Sequence, residues 1–175
     1  MPPHQPRSTT PLTDAPAGDW SRVSADLAMV DGTYWLTVAR PDATPHTRPL
    51  LAVWTKGVPH FVCGPRTAKA RLLSGGPNVS LAVSTARLDV VVQGRVERVS
   101  DPSRVRAVAE TYPKVYGWAP VPEGDLLIGP DGAPTAGPPP YAVYAVPPTV
   151  VHAFPTDAAE HGATRWRFGD RDEHA

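Results

Sequence analysis

Residues 33–63 read TYWLTVARPDATPHTRPLLAVWTKGVPHFVC. The first seven are dense in aromatic and β-branched side chains, which suit a pleated, half-buried surface. Pro41-Asp42-Ala43-Thr44 then supplies turn chemistry. Residues 46–55 read as a second strand with Pro49 inside it. A proline removes one ladder donor, so this position predicts an edge, a bulge or a strand end. Lys56-Gly57 is a tight hairpin turn, and residues 58–63 are a third strand. Three strands joined by short turns predict an antiparallel meander.

Working outward toward the N-terminus, Trp20, Val23, Leu27 and Val30 recur at helical spacing within residues 19–30. A short amphipathic helix is expected there. Residues 1–18 are rich in Pro, Ser and Thr with little to bury, and read as a disordered tail. On the C-terminal side Gly64-Pro65 breaks the strand. Residues 67–73 favour a helix, stopped by Gly75-Gly76. Strands resume at residues 78–84 and 88–99, the second with Gly94 as a bend. Asp101-Pro102 starts a helix by N-cap and first-turn proline; Val105, Val108, Ala109 and Tyr112 mark its buried face. Half of residues 119–140 are Pro or Gly, which predicts a long irregular loop, a candidate lid. Residues 141–146 and 149–154 read as two last strands. Residues 164–168, TRWRF, form an aromatic-basic segment before a charged tail at 169–175. Hairpin-joined strands with few helices predict a mainly β fold: an antiparallel split β-barrel of six to seven strands with peripheral helices, over residues 19–168.

Composition narrows the function. The 175 residues suit one domain. Lys plus Arg and Asp plus Glu number 17 each, and this balance argues against a nucleic-acid or membrane-surface binder. Cys63 is the single cysteine, so no intrachain disulfide can form and a reducing cytoplasm is the expected setting. No apolar run approaches the roughly 20 residues of a membrane helix, and the N-terminus lacks a signal-peptide order. Motifs for a zinc protease, a phosphate loop, a dinucleotide fold or a nucleophile elbow are missing. His46 and His60 read as solvated turn histidines, and Cys63 as a small buried hydrophobe. The informative stretch is Gly64-Pro65-Arg66-Thr67-Ala68-Lys69-Ala70-Arg71. It joins a strand end, a hydroxyl, a helix start and three cations. That is either a phosphate site or an ordinary charged helix face.

Taken together, the run 33–38, Pro45-His46, residues 48–54 and 64–71, Leu88 to Gly94, Tyr116-Gly117-Trp118 and residues 164–168 resemble the pyridoxamine 5'-phosphate oxidase-like split barrels. The resemblance covers roughly residues 19–168. It implies a homodimer with a flavin, FMN, lying between protomers, or in one branch the deazaflavin coenzyme F-420. It implies an oxidoreductase acting on a small-molecule substrate or electron acceptor; a non-catalytic flavin carrier is the alternative. By the same resemblance Arg48, Pro49, Leu50 and Leu51 line the ring through their backbone. Val62, Cys63 and Gly64 border the ribityl chain. Arg66 and Lys69 hold the phosphate with Thr67 nearby. Gln93 approaches the ring, and Trp166 and Arg167 arrive from the C-terminus. The closing Arg165-Trp166-Arg167-Phe168 departs from the Arg-Leu-His type of motif in the oxidase proper, so vitamin B6 oxidation is not implied.

Overall fold

A computed structural model describes residues 4–129, 136–156 and 161–169. The strands are β1 (Ser8–Pro11), β2 (Tyr34–Ala39), β3 (Pro45–Leu50), β4 (Ala52–Thr55), β5 (Val58–Cys63), β6 (Asn78–Ser84), β7 (Leu88–Arg95), β8 (Glu97–Val99), β9 (Val121–Glu123), β10 (Leu126–Ile128), β11 (Tyr141–Ala145), β12 (Pro148–Pro155) and β13 (Thr164–Arg167). The helices are α1 (Trp20–Ala28), α2 (Ala68–Leu73) and α3 (Pro102–Tyr116). One sheet runs β1-β13-β12-β7-β6-β2-β3; the other runs β4-β5-β11-β10-β9, with β8 also on β11. Every pairing is antiparallel. The architecture is the mainly β split barrel expected, with helices outside it.

The strand count is higher than the six to seven expected, for a physical reason. Two long expected strands each cross from one sheet to the other and break as they do. The 46–55 strand divides at Leu51 into β3 and β4, and the 88–99 strand divides at Val96 into β7 and β8. The chain also crosses through α2 between β5 and β6, and at Val146-Pro147, between β11 and β12. Gly94 lies against this last crossing: a β-carbon there would run into the Pro147 carbonyl. Pro45 and Pro49 sit in β3, the edge strand, where missing ladder donors are tolerated.

Two expectations for irregular chain are corrected. Residues 8–11 of the expected disordered tail form β1, which pairs with β13 and covers what would otherwise be a bare edge. His4 also stacks on Phe168 at a 4.8 Å centroid separation. Within the expected loop at 119–140, β9 and β10 form a hairpin through Gly124, whose φ is 61°. Leu127 anchors it as a fully buried side chain. Residues 130–135 of that loop and 170–175 of the charged tail lie outside the described residues.

The barrel interior holds one core, built from Leu36, Val38, Leu81, Val92 and an aromatic knot of Trp20, Trp166 and Phe168. Trp20 lies 5.5 Å from Trp166 and 5.0 Å from Phe168, centroid to centroid. α1 delivers Trp20 from an Asp19 N-cap that accepts the Ser21 N–H at 2.9 Å. A second core lies between the smaller sheet and α3, where Val105, Val108, Ala109 and Tyr112 turn inward as their spacing predicts. Asp101 caps α3 by accepting the Arg104 N–H at 2.8 Å, and Gly117 closes it at φ 70°. Among the described residues no helix is long and apolar enough to cross a membrane.

The aromatic knot joins helix, barrel and C-terminal strand. Trp166→Ala should therefore lower unfolding stability by about 3–5 kcal/mol, read as a lower urea midpoint; a loss under 1 kcal/mol would mean the knot collapses without a void.

Candidate functional site

Between β3, the end of β5 and the start of α2 lies a cleft of about 510 Å³. Its wall carries His46, Arg48 and Pro49 from β3, Cys63 from β5, and Thr67 and Lys69 from the α2 turn. Ala136 and Gly137 close the far side. The local sequence explains the grouping. β3 and β2 pair Leu36 with Arg48 and Val38 with His46. Side chains alternate along a strand, so His46 and Arg48 emerge on the barrel side, where α2 packs. α2 starts at once after the strand because Thr67 caps it. The Thr67 hydroxyl donates to the Gly64 carbonyl at 2.9 Å and accepts from the Ala70 N–H at 3.1 Å. Lys69 then falls within the first turn and points inward.

Lys69 is the unusual group here. Its side chain is 9% exposed, yet among the described residues it has neither a carboxylate nor a hydrogen-bond acceptor. Burial pulls its ammonium below the ordinary lysine range; Cys63 pulls it back up and Arg48 adds to the lowering. A buried ammonium without an anion is expensive. The Cys63 thiol is pushed up by burial, against the opposing hydrogen bond from Thr67 and the charge of Lys69. It stays a neutral thiol and does not serve as the counter-ion.

His46 is buried as well, at 8% exposed, which corrects its reading as a solvated turn residue. The Arg40 guanidinium lies 3.2 Å from its Nδ1. Arginine can only donate, so Nδ1 accepts and Nε2 carries the ring proton. Burial holds the imidazole below its usual pKa, reinforced by Arg48, Arg40 and Lys69. His60 is buried too, its Nδ1 3.1 Å from Thr55 Oγ1 and 2.9 Å from the Val58 carbonyl; it serves the β4–β5 hairpin. Among the described residues no carboxylate lines the cleft. Among the described residues no three His, Cys, Asp or Glu side chains are placed to share a metal ion. The chemistry on offer is anion binding.

The fold has relatives among solved structures. A conserved hypothetical protein from Mycobacterium tuberculosis superposes with a TM-score of 0.62 at 15% identity, over 83% of this chain and 90% of its own. A pyridoxamine 5'-phosphate oxidase-related, FMN-binding protein from Nostoc punctiforme gives 0.57 at 16% identity, over 89% and 93%. A heme-binding protein from Mycobacterium smegmatis gives 0.58 at 12% identity over 78% of this chain, which spans only 54% of that protein. The fold is the split β-barrel of the pyridoxamine 5'-phosphate oxidase-related proteins. No protein-family model matches the chain, and no curated protein matches it.

The split barrel sorts the expected site residues into three places. Arg48, Pro49, Cys63, Thr67 and Lys69 meet in the cleft. Gly64 borders it, donating its N–H to the Ala136 carbonyl at 3.3 Å, and Arg66 stands exposed beside it. Pro49 has no N–H to offer a ring, so a backbone donor from this stretch falls to its neighbours. The Thr67 hydroxyl donor is already shared between the Gly64 carbonyl at 2.9 Å and the Cys63 sulfur at 3.9 Å. A second group is core: Leu50 and Val62 are buried, and Leu51 is half-buried against the second core. Trp166 is corrected in the same way: it is fully buried in the aromatic knot of its own protomer. The third group, Gln93 and Arg167, is exposed on the outer face of the larger sheet, each paired to Val150 of β12. β6 and β2 separate Gln93 from Arg48 within one protomer.

A cationic cleft that lowers the His46 pKa should release it when an anion enters. In NMR titrations His46 should ionise below 6.5 in the free protein and shift upward with added inorganic phosphate. An unmoved His46 would place the phosphate elsewhere.

Proposed function

We propose that this split barrel binds FMN, its phosphate between Lys69 and Arg48, and acts as a homodimeric oxidoreductase. The observation that carries the reading is Lys69, a largely buried side chain whose ammonium reaches a cleft lined, among the described residues, by no carboxylate and has no acceptor beside it there. A phosphate supplies the counter-charge and accepts charge-assisted hydrogen bonds from both cations. His46, with its proton on Nε2, is a further donor on the same wall. The Nostoc punctiforme relative, described as FMN-binding, supports the choice of anion. Bound flavin would supply the hydride or electron transfer. The chain's own residues would hold and orient it and keep water from its phosphate. The lone buried thiol accords with a reducing, cytoplasmic setting.

The dimer reading rests on the outer face of the larger sheet. Trp35 is 51% exposed there and Phe154 41%; Ala82 and Val91 carry Trp35's row across β6 and β7 to β12, where Phe154 lies two residues along the strand. Trp35 pairs across to Pro49, at the cleft. A second copy packed on this face would bring its own Gln93 and Arg167 toward the cleft, which gathers the expected residues that one protomer keeps apart.

Purified protein mixed with FMN and desalted should keep a flavin absorption spectrum. Retention of coenzyme F-420 alone would move the chain to deazaflavin chemistry. Retention without turnover by reduced donors would make it a carrier. Lys69→Met should weaken FMN binding by about 2 kcal/mol, on the order of 30-fold. It should also raise the urea midpoint of the ligand-free protein, because an unpaired buried charge is gone. Unchanged affinity would reject the clamp. Sedimentation should show a dimer for the wild type and a monomer for Trp35→Glu; a monomeric wild type would remove the interface.

A further inference from the structure

Across the outer face of the larger sheet the strand register sets out one row: Arg165 of β13, His152 of β12, Val91 of β7, Ala82 of β6, Trp35 of β2 and Pro49 of β3. His152 thus stands between a cation and the apolar strip that ends at the exposed Trp35. Its ring is half-buried and stacks on Phe154, 6.2 Å away centroid to centroid and inclined by 12°.

The charges that face this ring come from the two strands beside it. On β13 Arg165 lies directly opposite and Arg167 diagonally. On β7 Val91 lies opposite, with Asp89 and Gln93 diagonal. Asp89 sits against Phe154, and its Oδ1 accepts the Ser84 hydroxyl at 2.6 Å. On β12 itself the neighbours on this face, Val150 and Phe154, carry no charge. Burial lowers the imidazole below its usual pKa, and Arg165 and Arg167 lower it further. His152 of the free protomer is therefore neutral near pH 7. A second copy seated here takes the remaining water from the ring. An interface between two copies pairs the face with itself, so the charges that arrive are those already on it. Among the described residues these are Arg95, Arg165 and Arg167 against Asp89. A protonated His152 would meet a positive excess from its own sheet and from the partner's.

We infer that this face is a pH-gated interface: two copies seat on it while His152 is uncharged, and a proton on His152 separates them. The inference rests on the dimer reading above. Its sign follows from burial. Desolvation and the arginines disfavour the charged ring more in the dimer than in the free protomer, so the dimer binds the proton more weakly. Acid then favours the protomers. Two-fold symmetry repeats the group. Each pH unit below the free protomer's pKa should therefore raise Kd by up to about 100-fold, about tenfold for each His152.

The experiment is sedimentation velocity of the full chain over a concentration series, from about pH 8 to about pH 5.5, across the histidine range. Circular dichroism is recorded at each pH, and the acid samples are returned to the upper pH. Wild type, His152→Gln and His152→Lys are compared; the side chain is half-buried and outside both cores, so the variants keep the fold. The wild type should be a dimer at the upper pH, and its Kd should rise about tenfold or more toward the lower, reversibly and with unchanged circular dichroism. His152→Gln should stay dimeric with Kd within about threefold throughout, and His152→Lys should be monomeric throughout. A flat wild-type Kd, a rise that His152→Gln keeps, or a dimeric His152→Lys rejects the gate and leaves the dimer standing. A monomeric His152→Gln at the upper pH makes the ring a contact rather than a gate. Dissociation that comes with lost circular dichroism or does not reverse is acid unfolding and rejects the gate as well. A wild type monomeric at every pH removes the interface and the gate together.

Discussion

The fold depends on how the chain satisfies its backbone where it leaves one sheet for the other. A residue at such a crossing loses a ladder partner, and a buried carbonyl or amide without a partner is costly. At the first crossing the Leu51 carbonyl accepts from the Tyr112 hydroxyl at 3.2 Å, and the Ala52 carbonyl from Tyr116 at 3.0 Å. Between β7 and β8 the Val96 N–H donates to the Pro77 carbonyl at 3.0 Å; between β11 and β12 the Val146 N–H donates to the Pro59 carbonyl at 3.0 Å. Burial raises the pKa of both tyrosines, Tyr116 to about 12, so they stay protonated donors. α3 therefore does more than cover a sheet: it bonds the crossing that turns β3 toward the cleft.

This dependence explains what was legible in the sequence. The hairpins, the Asp19 and Asp101 caps and the inward faces of α1 and α3 are local properties, carried by spacing and by single capping residues. The crossings are not local. Nothing in residues 46–55 says that the two halves of the strand belong to different sheets; Pro49 marked an edge, and the partner that makes Leu51 a corner is a tyrosine 61 residues away. β1 was missed for a related reason. Ser8–Pro11 has no apolar alternation because it offers backbone to β13 and buries little.

The candidate site divides in the same way. Arg48, Thr67 and Lys69 were readable because a cation-rich strand-to-helix turn is a contiguous signal. His46 was not, since a histidine after a turn looks solvated until β2 and α2 enclose it. Its alternation with Arg48 along β3 was the one available hint. Trp166 misled in the opposite sense: an aromatic between two arginines near the C-terminus resembles a ligand contact, and only the position of Trp20 shows that it belongs to the core.

The balance of costs at Lys69 argues for function rather than architecture. A methionine would fill the same space, and α2 would keep its Thr67 cap and its buried Ala70 and Leu73. The ammonium instead bears a desolvation cost, offset by no carboxylate among the described residues that line the cleft. Arg48 adds a like charge beside it on the same wall. Interactions that oppose one another in the free chain and are relieved together by a single anion have a natural reading. The free-energy cost retained in the empty cleft reappears as affinity when the anion binds, because the ligand removes the repulsion as well as making contacts. Cations arranged for stability alone would have been interleaved with acids, as Arg98 is with Asp125 at 3.1 Å and Arg87 with Asp26 at 3.4 Å elsewhere on this surface.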